Sequence, residues 1–91
     1  ITVAAQADAE DTNLNAAATA LSERNLTAAR QYLDKSNPQT AEYANNNGAY
    51  YLLNGQPEQA ILEFNKAIQK GSEAARSNLE EMGKVMKMQK K

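Results

Sequence analysis

The chain has 91 residues and a net charge of −1, so its length supports one small hydrophobic core and its charge favours no nucleic-acid partner. Cysteine and histidine are both absent, which excludes disulfides, thiolate and imidazole metal ligands and the usual nucleophile–base pairs. We therefore expect no catalysis, no cofactor and no metal, and no transmembrane segment, because no apolar run approaches the roughly 20 residues that span a bilayer.

The first eight residues predict a flexible N-terminal segment, 1–8. Its opening stretch, Ile1 to Ala7, ends in a small-x-small pattern. That pattern is typical of the remnant of a signal-peptide cleavage site. An alanine-rich linker within a longer chain has the same composition, and we favour this interpretation.

Helices are predicted for the rest of the chain. Seventeen alanines and two prolines favour helix, because alanine loses no side-chain entropy there. Asn37-Pro38, the stretch from Asn54 to Pro57, and Gly71-Ser72 are the clear breaks, and a softer break falls near Glu23 to Asn25. Gly55 and Gly71 suit the left-handed position after a helix, and Ser72 suits an N-cap. We expect five helices, near 9–22, 26–36, 39–53, 57–70 and 73–88.

Each predicted helix carries an apolar residue at every third or fourth position, and none alternates as a strand would. In the first helix the stripe is Leu14, Ala17 and Leu21. Short connections make successive helices antiparallel. The sequence therefore predicts an all-α fold, with residues 9–91 forming a single helical domain.

A repeat period is the strongest signal in the chain, since self-similarity at 20 to 50 residues indicates a repeat fold. The stretch 47–67 reads NGAYYLLNGQPEQAILEFNKA. Its small residues would let two helices approach closely, while its aromatic residues fill the volume beside them. It resembles the tetratricopeptide repeat family. The six matching positions are Gly48, Tyr51, Gly55, Ala60, Phe64 and Ala67.

The flanking sequence departs from this pattern. Ala44 stands where the family has tryptophan, Asn47 where it has leucine, and Ser72 where it has the terminal proline. Pro38 nevertheless lies 34 residues before Ser72, where the preceding repeat should end. The resemblance therefore implies a right-handed array of antiparallel helix pairs, with a degenerate repeat at 9–38, a clean repeat at 39–71 and a capping helix at 72–91.

The resemblance implies a protein or peptide partner, bound as a polypeptide segment on the concave helix face. On the third helix we expect that face to be the stripe Glu42, Asn45, Ala49 and Leu52, with Leu53 beside it. As an alternative, Leu52 and Leu53 pack against the first and fifth helices and leave no open groove.

Three consecutive asparagines, 45 to 47, invite comparison with family members that hold a terminal carboxylate between asparagines and cations. The third helix contains no lysine or arginine, so we reject that interpretation. Asparagine in mid-helix costs about 0.5 kcal/mol relative to alanine. A hydrogen-bonding role is one explanation, and for Asn46 we favour a tolerated position in solvent.

The C-terminal end is basic and amphipathic, with Lys84, Lys87, Lys90 and Lys91 among apolar residues. It could contact an anionic membrane or an acidic peptide. We favour a solvated helix end whose lysines interact with the helix dipole.

The shortened upstream repeat is followed by a glycine-ended helix and then by Asn78-Leu79-Glu80. In this order the chain resembles repeat regions of large bacterial outer-membrane-associated proteins. That narrower resemblance implies the cell envelope or periplasm rather than the cytoplasm. Because repeat arrays generally need about three units, we predict either self-association or a neighbouring domain. A structural repeat segment with no ligand of its own is the alternative function.

Overall fold

The computed structural model describes residues 2–3 and 12–89, with side chains described as far as Lys84. Within these residues the fold is all-α, with five helices and no strand, as the sequence predicts. The predicted start of the first helix, 9–11, lies outside the described residues. The helices are α1 (Thr12–Ser22), α2 (Leu26–Asp34), α3 (Ala41–Leu53), α4 (Pro57–Gln69) and α5 (Glu73–Gln89).

Three of the helices end in the same left-handed turn. Gly55 and Gly71 have φ of 77° and 96°, which confirms the conformation predicted for both glycines. The third residue of this kind is Arg24, with φ 62°, after α1. Its guanidinium donates to the carbonyls of Leu21 and Ser22 at 2.9 and 3.2 Å, and these bonds help to hold a conformation that a Cβ disfavours.

The helix starts are also fixed locally. Asn25 and Thr40 accept hydrogen bonds from the backbone N–H three residues ahead, at 3.1 and 3.0 Å. Ser72 does the same for α5 at 3.1 Å, which confirms the predicted N-cap. Pro57 occupies the first turn of α4, where its missing N–H has no intrahelical partner to lose.

Packing makes α3 the centre of the molecule. It contacts α4 most extensively and also contacts α1, α2 and α5, while α1 packs on α2 and α4 on α5. Three apolar clusters of described residues border it, and two of them lie among α1, α2 and α3. The first joins α3, α4 and α5 around Phe64, and the second joins α1, α2 and α3 around Leu21. Helix α3 therefore lies between α1 and α5 and contacts both of them.

The closest helix approach lies between α3 and α4. A Cβ added to Gly48 would lie 2.7 Å from two ring carbons of Phe64 and 3.2 Å from the carbonyl oxygen of Ala60. Phe64, Ala60 and Ala67 are fully buried there, and Tyr51 packs against the same cluster. Five of the six repeat positions thus lie in the packed region between α3 and α4. The sixth, Gly55, lies in the turn that follows α3.

Candidate binding groove

Two buried asparagines hold the backbone of the N-terminal segment, Thr2–Val3, against the helices. Asn45 on α3 is 0% exposed and Asn78 on α5 is 1% exposed. Asn78 accepts from the N–H of Thr2 at 2.7 Å and donates to its carbonyl at 2.8 Å. Asn45 donates to the same carbonyl at 3.0 Å. We call these two asparagines the clasp.

The clasp is internally connected. Asn78 donates from Nδ2 to Oδ1 of Asn45 at 2.9 Å, and Asn45 donates to Oδ1 of Asn46 at 3.3 Å. A buried amide that lacks partners costs about 1–3 kcal/mol. The side chains of both clasp residues have protein partners on nitrogen and oxygen, and part of that pairing is supplied by Thr2.

The next residue, Val3, is half-buried and packs against apolar side chains of α1, α2 and α3. Leu53 and Tyr50 of α3 border the same place. Val3 packs against a cluster of four buried residues, which we call the apolar wall: Ala20, Leu21, Ala29 and Ala49. The candidate binding groove thus has two parts. The clasp binds the backbone of Thr2, and the apolar wall contacts the side chain of the next residue, Val3.

The structure divides the predicted binding stripe between two environments. Asn45 belongs to the clasp and Ala49 to the apolar wall, with Leu53 beside it. Leu52 instead packs on the cluster shared with α4 and α5, while Glu42 is half-buried near the start of α3. Leu52 and Leu53 therefore pack against different apolar clusters, the first shared with α4 and α5 and the second shared with α1 and α2. Whether any of the five binds a partner stays a prediction.

Of the predicted flexible segment 1–8, the structure describes Thr2 and Val3, which make the contacts above. Residues 1 and 4–11 lie outside the described residues, so flexibility of the segment stays a prediction. Asn78 was not among the predicted site residues. It lies 33 residues after Asn45, and its mid-helix position in an otherwise helix-favouring stretch was the only available signal.

The prediction that Asn46 is solvent-exposed is wrong, because its side chain is 0% exposed. Asn47 is also buried, and it links three helices. It accepts from Arg30 of α2 at 2.9 Å and donates to Glu63 of α4 at 2.9 Å. Lys66 pairs with Glu63 at 3.0 Å, and this hydrogen bond, followed by the attraction between the two charges, raises the pKa of the Lys66 ammonium.

This network gives Asn47 a structural role, because its side-chain amide connects Arg30 of α2 to Glu63 of α4. We expect Asn47→Leu to lower the free energy of unfolding by about 1–3 kcal/mol, because Glu63 loses a donor in a half-buried place. Urea denaturation measures the change. Glu63→Gln retains an acceptor for Asn47 and should cost less. A leucine variant as stable as the wild type would mean that apolar packing outweighs the network.

The described residues contain no helix that is both long and apolar enough to cross a membrane. The basic side chains beyond Lys84 lie outside the part of the chain whose side chains are described. In fold, the described part of the chain is an all-α helical domain against which Thr2 and Val3 of the same chain pack. Comparison with protein-family models, curated proteins and solved structures finds no match. The tetratricopeptide resemblance therefore stays a prediction.

Proposed function

We propose that this domain is a non-catalytic interaction or assembly module that binds an extended polypeptide segment on the face of α1, α3 and α5. The observation that carries the proposal is the clasp. Asn45 and Asn78 are almost fully buried, and they direct their amides to the backbone N–H and carbonyl of a single residue, Thr2.

Recognition through the backbone suits a module of this kind. An amide group that both accepts from N–H and donates to carbonyl matches a peptide unit whatever its side chain. Because the amides are already fixed by neighbours, little side-chain entropy is lost on binding. The resemblance to tetratricopeptide repeats, whose concave faces bind peptides, points to the same face.

The alternative is a structural segment of a larger cell-envelope protein with no ligand of its own. It is favoured by a specific observation, since the groove is filled by residues of the same chain. In that case Thr2 and Val3 complete the fold permanently. The two functions differ in whether the groove accepts a segment supplied in trans.

A test requires a chain whose groove is open. Thr2→Pro removes the N–H that donates to Asn78, and Val3→Asp places a carboxylate against the apolar wall. The full chain with both changes, here the opened chain, leaves every helix residue unaltered. Thr2→Ala is the matched control, because it retains the N–H and changes only an exposed side chain.

The probe is a fluorescent, N-acetylated peptide of residues 1–6, ITVAAQ, titrated by anisotropy. We expect saturable binding to the opened chain, weakened about tenfold or more by adding Asn78→Ala. The Thr2→Ala chain should bind more weakly than the opened chain, since its own segment competes at high effective concentration. An opened chain that is helical by circular dichroism yet binds no peptide would support the structural alternative.

Self-association is a related proposal, because one chain carries both a groove and a segment that fits it. Exchange of an identical element between copies is a low-cost route to dimers. Light scattering over a range of concentrations tests it. A monomer at every concentration would count against exchange while leaving peptide binding unaffected.

A further inference from the structure

The apolar wall gives the groove a sequence preference. We infer that the groove selects segments in which the residue held by the clasp is any residue except proline and the next residue is a short branched aliphatic such as valine. This inference rests on the proposed function and specifies its ligand. The chain's own Thr2–Val3 is then an internal occupant that a partner segment displaces.

The clasp does not recognise a side chain. All three of its hydrogen bonds to Thr2 end on backbone atoms, and residue Thr2 is exposed. The contact with Asn78 requires a backbone N–H, which proline lacks. The first position of the motif is therefore restricted only by exclusion of proline.

The second position is recognised by the apolar wall. Three of its four residues, Ala20, Ala29 and Ala49, are alanines that are at most 4% exposed. Their short side chains leave room for the branched side chain of Val3. Leu26 and Leu53 pack against the same cluster as Val3. A charged residue would lose its hydration there with no partner described among the wall residues.

The clasp and the apolar wall act together, because they contact consecutive residues of the same segment. Successive side chains of an extended chain point to opposite sides, so a segment that exposes its first side chain turns the second toward the helices. Thr2 and Val3 show this pairing, with the first exposed and the second half-buried. The partner class is thus an extended, non-proline segment with valine at the second position.

The test is a peptide series titrated against the opened chain. The parent ITVAAQ and the variant IAVAAQ should bind equally, because the clasped side chain is not recognised. ITAAAQ should bind about tenfold more weakly, because two carbons of buried apolar surface are lost. IPVAAQ should also weaken, and ITDAAQ should show no saturable binding.

A variant of the wall links the preference to its cause. Leu53→Ala in the opened chain should weaken ITVAAQ severalfold and leave ITAAAQ nearly unchanged, and Leu26→Ala provides a second measurement on α2. If all peptides bind equally well, the sequence preference is wrong although peptide binding stands. If no peptide binds to a folded opened chain, the proposed function itself fails.

Discussion

Phe64→Ala is expected to lower the free energy of unfolding by about 3–5 kcal/mol. Phe64 is the only phenylalanine in the chain, is 0% exposed, and lies in the cluster that joins α3, α4 and α5. Domains of this size have total stabilities of about 5–15 kcal/mol. The variant should therefore unfold at much lower urea concentration, or be partly unfolded without urea.

The stability lost in Phe64→Ala should depend on the residue at position 48. Two carbons of the Phe64 ring lie only 2.7 Å from where a Cβ of that residue would be. In the wild type, Gly48→Ala forces a buried ring to move and should cost about 1–3 kcal/mol, despite the helix propensity that alanine gains. In the Phe64→Ala background the ring is gone. Gly48→Ala should then be neutral or stabilising by up to about 1 kcal/mol.

Gly83→Ala is the matched control, since no atom of the described side chains lies within 4 Å of a Cβ added at that helical glycine. We expect it to stabilise the chain by up to about 1 kcal/mol in both backgrounds. Additive effects of Gly48→Ala and Phe64→Ala would contradict the close approach of α3 and α4. A full double-mutant cycle by urea denaturation measures the coupling.

The helices could be predicted because local chemistry determines most of their ends. Gly55 and Gly71 adopt the left-handed conformation that a Cβ disfavours, while Ser72 and Pro57 act within one turn of a helix start. These effects depend on near neighbours in sequence. The predicted ends of α2 through α5 therefore lie within two residues of those described.

Arg24 shows where local chemistry was insufficient. Arginine rarely occupies the left-handed region, so no pattern predicted the turn that ends α1. Its guanidinium contacts with Leu21 and Ser22 appear only once the chain has turned. The soft break predicted near residues 23–25 had the right position without this mechanism.

Only part of the candidate groove could be predicted, because some of its residues are far apart in the sequence. The stripe containing Asn45 and Ala49 followed from helical periodicity and family resemblance. Asn78 and Thr2 are separated by 76 positions, and neither residue has an apolar pattern that would place it. A single asparagine in a sequence also predicts a solvent-exposed position. The burial of Asn46 and Asn78 could be seen only once the packing of the helices was known.

Asn78→Asp is expected to lower the free energy of unfolding by about 3–5 kcal/mol at neutral pH. The amide nitrogen of Asn78 donates to two oxygens, the carbonyl of Thr2 at 2.8 Å and Oδ1 of Asn45 at 2.9 Å. A carboxylate would present an acceptor to both. Asn45 cannot donate to it without turning its nitrogen away from Thr2.

Asn65→Asp provides the matched control, because Asn65 is exposed on α4 and surface changes usually fall within about 0.5 kcal/mol. The difference between the two variants should narrow as the pH falls toward about 4, since a protonated carboxyl can again donate. Urea titrations at neutral and acidic pH measure both effects. Equal stability of the two variants at pH 7 would mean that the clasp is open to water, and the backbone recognition proposed for the groove would lose its foundation.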